Sequence, residues 1–140
     1  MMMINMKHII LLCTLLISFN SFADELSNAA TAYQRGDYNT AFNLCEKLAE
    51  QGLAKAQYNL GLMYKSGEGT PQDYAAAIKW FTKSAVQNHV GAQYNLGLMY
   101  KNGDGIPHDY KKAIKWWTKA ADQGHASAQY NLGLWMRKHN

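Results

Sequence analysis

One nine-residue string occurs twice in this chain, and most of it a third time. Residues 56–64 read AQYNLGLMY, residues 92–100 read the same, and residues 128–134 read AQYNLGL, each start 36 residues after the last. Over a longer stretch, residues 56–87 and 92–123 agree at 23 of 32 positions. A period of about 20–50 residues marks a repeat architecture, in which one unit cannot bury its apolar face alone and must stack on a copy of itself. The chain therefore builds its core between copies, and its surface repeats with the same period.

Within a unit the spacing predicts helix, loop, helix. Ala56, Leu60, Gly61 and Tyr64 form one stripe at helical spacing, helix A, with Gly61 allowing close approach of a facing helix. The loop through Gly67, Gly69 and Pro71, copied as Gly103, Gly105 and Pro107, supplies glycines for positive φ and a proline that resists helix continuation. Asp73 and Asp109 stand near the start of helix B, where a carboxylate satisfies free amide donors. Tyr74, Ala77, Ile78, Phe81 and Ala85 form the second buried stripe, matched by Tyr110, Ala113, Ile114, Trp117 and Ala121. The same template reaches back to Tyr38, Ala41, Phe42, Cys45 and Ala49, behind a degenerate first helix A and a turn, Arg35-Gly36-Asp37, five residues shorter than the later loops. Seven helices follow, at about 25–35, 38–51, 54–65, 72–88, 91–101, 108–123 and 126–138.

The spaced pattern A-x-x-x-L-G-x-x-Y, G-x-G-x-P-x-D-Y-x-x-A, K-W-[FW]-x-K-[SA]-A resembles the Sel-one-like repeat, a relative of the tetratricopeptide repeat with a longer loop. The first unit, with its compact Gly36-Asp37-Tyr38 turn, is closer to the tetratricopeptide form. The resemblance implies an all-α, right-handed α-solenoid serving as adaptor or scaffold. Its units lie at about 24–53, 54–89 and 90–125, with a closing helix at 126–138. Some exported bacterial relatives are rich in paired cysteines, a feature this chain lacks.

The first 23 residues read as a signal peptide. Lys7 closes a short positive start, residues 9–17 (IILLCTLLI) are apolar but too short to span a bilayer of about 30 Å, and Ser21-Phe22-Ala23 places small residues for cleavage after Ala23. The expected location is periplasmic or secreted, with no stable membrane insertion after cleavage. Processing would remove Cys13 and leave Cys45 without an internal disulfide partner. The net charge, +4 for the whole chain, is too small and too dispersed for a nucleic-acid surface.

No residue set reads as catalytic, and no cofactor or metal site is expected. Cys45 occupies the repeat position of Phe81 and Trp117, as a small buried hydrophobe does. His89 and His125 stand one period apart in the turns between units, too sparse for shared metal ligation. The glycine loops follow a helix instead of a strand and lack the third glycine of a phosphate cradle. Lys111, Lys115 and Lys119 form a stripe on the last helix B that reads as a solvated outer face.

Binding has the stronger pattern. Beside the buried stripe of helix A stand Tyr58, Leu62 and Lys65, then Tyr94, Leu98 and Lys101, then Tyr130, Leu134 and Arg137. In register these predict aromatic, aliphatic and cationic ladders along the inner surface, where the resemblance implies that a protein or peptide partner is held. The competing expectation is that tyrosine and leucine pack between neighbouring A helices. The closing helix keeps Leu132, Trp135 and Met136 apolar without a partner helix, which makes it a candidate homodimer contact. An adaptor or scaffold is the leading expectation, an inhibitor or immunity-type protein acting on a toxin or envelope enzyme the second, and a hydrolase a remote third.

Overall fold

The computed structural model describes residues 6–139, the side chains of residues 8–19 excepted, so the expectation for the apolar run at 9–17 lies outside the described side chains. Among the described residues are seven helices: α1 (Met6–Gln34), α2 (Tyr38–Glu50), α3 (Ala54–Ser66), α4 (Tyr74–Val86), α5 (Val90–Asn102), α6 (Tyr110–Asp122) and α7 (Ala126–His139). The substantial packing contacts join helices adjacent in sequence, so the chain is an α-solenoid of stacked pairs in which each unit leans on the next. α1, α3, α5 and α7 are the A helices; α2, α4 and α6 are the B helices.

α1 starts well before the helix expected from about residue 25. Residues 6–34 contain neither glycine nor proline, so nothing ends the helix between the N-terminal stretch and the first unit. Phe22 and Leu26 pack against the first core cluster.

The helix ends follow from residues the repeat supplies. The carboxylates of Asp37, Asp73 and Asp109 accept from the backbone N–H groups of Thr40, Ala76 and Lys112, at 3.1, 2.9 and 3.0 Å. Gly67 and Gly103 close α3 and α5 at φ 80° and 78°, donating to the carbonyls of Met63 and Met99. The first-unit turn uses Gly36 at φ 78° in the same way.

Each unit contributes a cluster, and neighbouring helices complete it. Ala41, Phe42, Cys45, Leu48 and Leu60 lie in the first, Phe81, Ala85, Leu96 and Met99 in the second, and Ala113, Trp117 and Ala128 in the third. The close approach expected at Gly61 is present: a methyl there would lie 2.7 Å from the ring of Phe81. Buried glutamines tie the units together. Gln57 donates to the carbonyl of Ala49 and accepts from Gln87; Gln93 donates to the carbonyl of Ala85 and accepts from Gln123. These bonds satisfy side chains that would otherwise be costly to bury.

Candidate partner-binding surface

The nine ladder residues all stand on A helices, and the structure divides them by how much of each the next unit covers. Tyr58 and Leu62 are half-buried against the second core cluster, and Tyr94 and Leu98 against the third. The ring of Tyr58 stacks on His89 with centroids 4.5 Å apart, and Tyr94 stacks on His125 at the same distance. Gly91 leaves room for the first stack, since a methyl there would approach the Tyr58 ring at 3.0 Å. Burial raises the pKa of the Tyr58 phenol, partly opposed by a hydrogen bond with Asn95. The aromatic ladder is thus committed, in its first two steps, to packing between units.

The cationic ladder divides as well. Lys65 Nζ donates to Asn95 Oδ1 at 3.3 Å, across the seam between α3 and α5. Lys101 and Arg137 are exposed. In the last copy, among the described residues no following unit covers the A helix, and Tyr130 and Leu134 are 63% and 41% exposed.

His89 and His125 do structural work in the turns. Their Nδ1 atoms accept from the backbone N–H groups of Ala92 and Ala128, at 3.3 and 3.2 Å, capping α5 and α7. Burial, with the nearby charge of Lys55 second, lowers the pKa of His89. Its neutral form is favoured in the fold, so its contribution to stability is complete above the ordinary histidine value of about 6.5 and is lost as pH falls from there through the lower folded value. Between pH 7 and pH 5 the melting temperature of the chain should therefore fall more steeply than that of His89→Asn, which caps without titrating. Parallel pH profiles for the two proteins would refute this role.

Two concavities open on the A-helix face at equivalent places. One, of about 340 Å³, lies between α1 and α3 above α2; Cys45, Asn59 and Leu62 line it. The other, of about 190 Å³, lies between α5 and α7 above α6; Trp117, Asn131 and Leu134 line it at the matching positions, 72 residues on. Lys55 borders the first; Lys101, Lys138 and His139 border the second; neither lining includes a carboxylate. At the intermediate step, Tyr58 lies against Gly91 and Lys65 is bonded to Asn95.

Leu62, Lys101 and Leu134 are therefore the ladder residues that reach a concavity. Asn59, Lys55, Lys138 and His139 also line these places and were not singled out from the sequence, and Trp135, expected as part of a contact between copies, lines the second. The signal for one was present: the asparagine of the repeated string recurs at 59, 95 and 131.

Among the described residues no group of three or more His, Cys, Asp or Glu is arranged to hold a metal ion. Cys45 is a buried, unpaired thiol whose pKa is pushed up by burial against an opposing hydrogen bond from Asn59, the reverse of an activated nucleophile. The Lys111, Lys115 and Lys119 stripe is exposed.

A family model described as "Sel1 repeat" matches residues 28–53, 54–89, 90–125 and 126–139. The chain belongs to the Sel1 repeat family. Sel1 repeats are generally protein–protein interaction modules. A crystal structure of a Sel1 repeat protein from Oxalobacter formigenes is 33% identical, with a TM-score of 0.75, over 78% of this chain and 45% of that one. The structure of c5321, a protective antigen of uropathogenic Escherichia coli with the same repeat fold, is 34% identical at a TM-score of 0.77, over 84% of this chain and 26% of that one. Cysteine rich protein B of Helicobacter pylori, at 19% identity and a TM-score of 0.62 over 77% of this chain and 92% of that one, shares the fold. Rat and mouse proteins named "DAP3-binding cell death enhancer 1" are each 50% identical over 42 residues, 30% of this chain and 8% of theirs. The chain thus spans less than half the length of the Oxalobacter and E. coli proteins and a small fraction of the rodent ones.

Proposed function

We propose that this Sel1 repeat chain is an exported, non-enzymatic adaptor or scaffold that holds a segment of a partner protein along its A-helix face. The observation that carries the reading is the pair of equivalent concavities, each lined in part by apolar side chains and bordered by at least one lysine, with no carboxylate in its lining. A surface of this kind takes an apolar anchor and pairs its rim with acidic side chains. Export rests on the sequence of the first 23 residues; among the described residues no helix is long and apolar enough to cross a membrane.

The test uses Lys101→Glu with Leu134→Glu, two exposed positions on the second concavity. Tyr94 is a poor choice for it, because its ring belongs to the packing between units. The tagged chain, expressed in its source cell and cross-linked in the envelope, should capture a defined partner. The double variant should lose at least tenfold of that yield with its helical content unchanged, and capture by the parent should weaken with added salt. Equal capture by both proteins would overturn the groove reading. The mass of the recovered chain should place its N-terminus at Asp24; an intact N-terminus would overturn the export reading. A second reading is favoured by the open face of α7, where Met136 is 50% exposed beside Leu134. A parent that sediments as a dimer, and a variant that sediments as a monomer, would identify α7 as a contact between two copies.

A further inference from the structure

In two of the three units, helix B drives an aromatic ring against helix A. Phe81 is fully buried against Gly61, and Trp117 is buried against Gly97. In the first unit the equivalent position on helix B is Cys45. The equivalent position on α1 is Ala30, because Gly36, Gly67 and Gly103, all at positive φ at the helix ends, each lie six residues after it, after Gly61 and after Gly97. By the same register Leu60 and Leu96 correspond to Ala29. An aromatic ring and a leucine side chain are thus both absent from these two positions of the first unit.

The cavity of about 340 Å³ is found there. Ala29, Ala30, Ala41, Cys45, Leu62 and Met63 give it an apolar wall, and Lys55 and Asn59 also border it. Its size falls in the range of pockets that hold small ligands, and apolar cavities of about 150 Å³ already accept a benzene ring. The thiol, kept protonated by burial, serves as wall and not as a reactive group. The later units show what fits between a B helix and an A helix at this point: a ring.

We infer that this cavity is a socket for an aromatic side chain of the partner, with Lys55 at its border pairing with a carboxylate next to that ring. The inference rests on the groove reading and specifies the partner chemistry at its N-terminal end: an acidic segment anchored by phenylalanine, tyrosine or tryptophan. Charge complementarity runs the same way along the face, since Lys101 and Lys138 border the second concavity without an acidic neighbour in its lining.

The probe is N-acetyl-L-phenylalanine, which carries both ring and carboxylate, titrated into the full chain and followed by methyl NMR. Saturable shifts are expected at Met63 and Ala29 in the low-millimolar range, with N-acetyl-L-alanine at least tenfold weaker. Two plugged variants copy the later units: Ala29→Leu alone, and Ala30→Gly combined with Cys45→Phe. Each should weaken the probe at least tenfold while the helical spectrum is kept. Lys55→Glu should weaken N-acetyl-L-phenylalanine more than its amide. No saturable shift in the parent, equal binding of the alanine compound, or undiminished binding in a folded plugged variant would overturn the socket. The titration needs no partner, and the capture experiment at Lys101 and Leu134 concerns the other concavity, so the two readings fail separately.

Discussion

Replacing Phe81 by alanine is expected to cost about 3–5 kcal/mol of folding stability, whereas Cys45→Ala, at the matching position one unit earlier, should cost about 1 kcal/mol or less. The two residues share a repeat position and are both buried, at 0% and 3% exposure. What differs is the packing. The Phe81 ring fills the space over Gly61, touches the seam that holds Tyr58, and belongs to the cluster joining α4 to α5. Its removal opens a cavity between two units, and a stack of repeats depends on each such interface. Cys45 already borders an unfilled cavity, so losing its sulfur removes little more. Urea unfolding of the three proteins, read by far-ultraviolet circular dichroism, measures the difference. Equal losses for the two substitutions would show that the first unit is packed as tightly as the second.

The sequence makes the architecture legible and the binding surface only partly so, for one physical reason. A period states which residues share a row; it does not state whether the next copy covers the row. The two-helix unit, the capping aspartates and the loop glycines depend on local geometry, and each stands where its chemistry requires. The tyrosines at 58, 94 and 130 form one row by the same arithmetic, yet the first two stack on a histidine from the following turn and only the third is open. Whether a following turn lies against the ring makes that difference: among the described residues His89 and His125 cover Tyr58 and Tyr94, and Tyr130 is 63% exposed. The first-unit cavity escaped notice for a related reason. A cysteine in place of an aromatic reads as ordinary variation in a core until the opposite helix is seen to be small as well, at Ala29 and Ala30. The early start of α1 reflects a boundary that no helix-breaking residue marks.

The glycine of the repeated string separates packing from propensity most sharply. Gly61, Gly97 and Gly133 are the same position in three copies. Gly97→Ala should destabilise the chain by roughly 3 kcal/mol, because a methyl there overlaps the indole of Trp117 and displaces a ring whose Nε1 donates to the carbonyl of Tyr94 at 3.3 Å. That loss is net of the gain of about 1 kcal/mol that alanine normally brings to a helix interior. Gly133→Ala meets nothing within 4 Å among the described residues, where no helix B packs on this face of α7. Only the propensity gain remains, and this substitution should stabilise the chain by up to about 1 kcal/mol. Opposite signs at identical local sequence, measured as shifts in the thermal midpoint, would show that the glycine is kept for the facing aromatic ring and not for the helix that contains it. The same sign at both sites would mean either that the ring moves aside without cost at Gly97 or that α7 is covered by a surface the single chain does not supply.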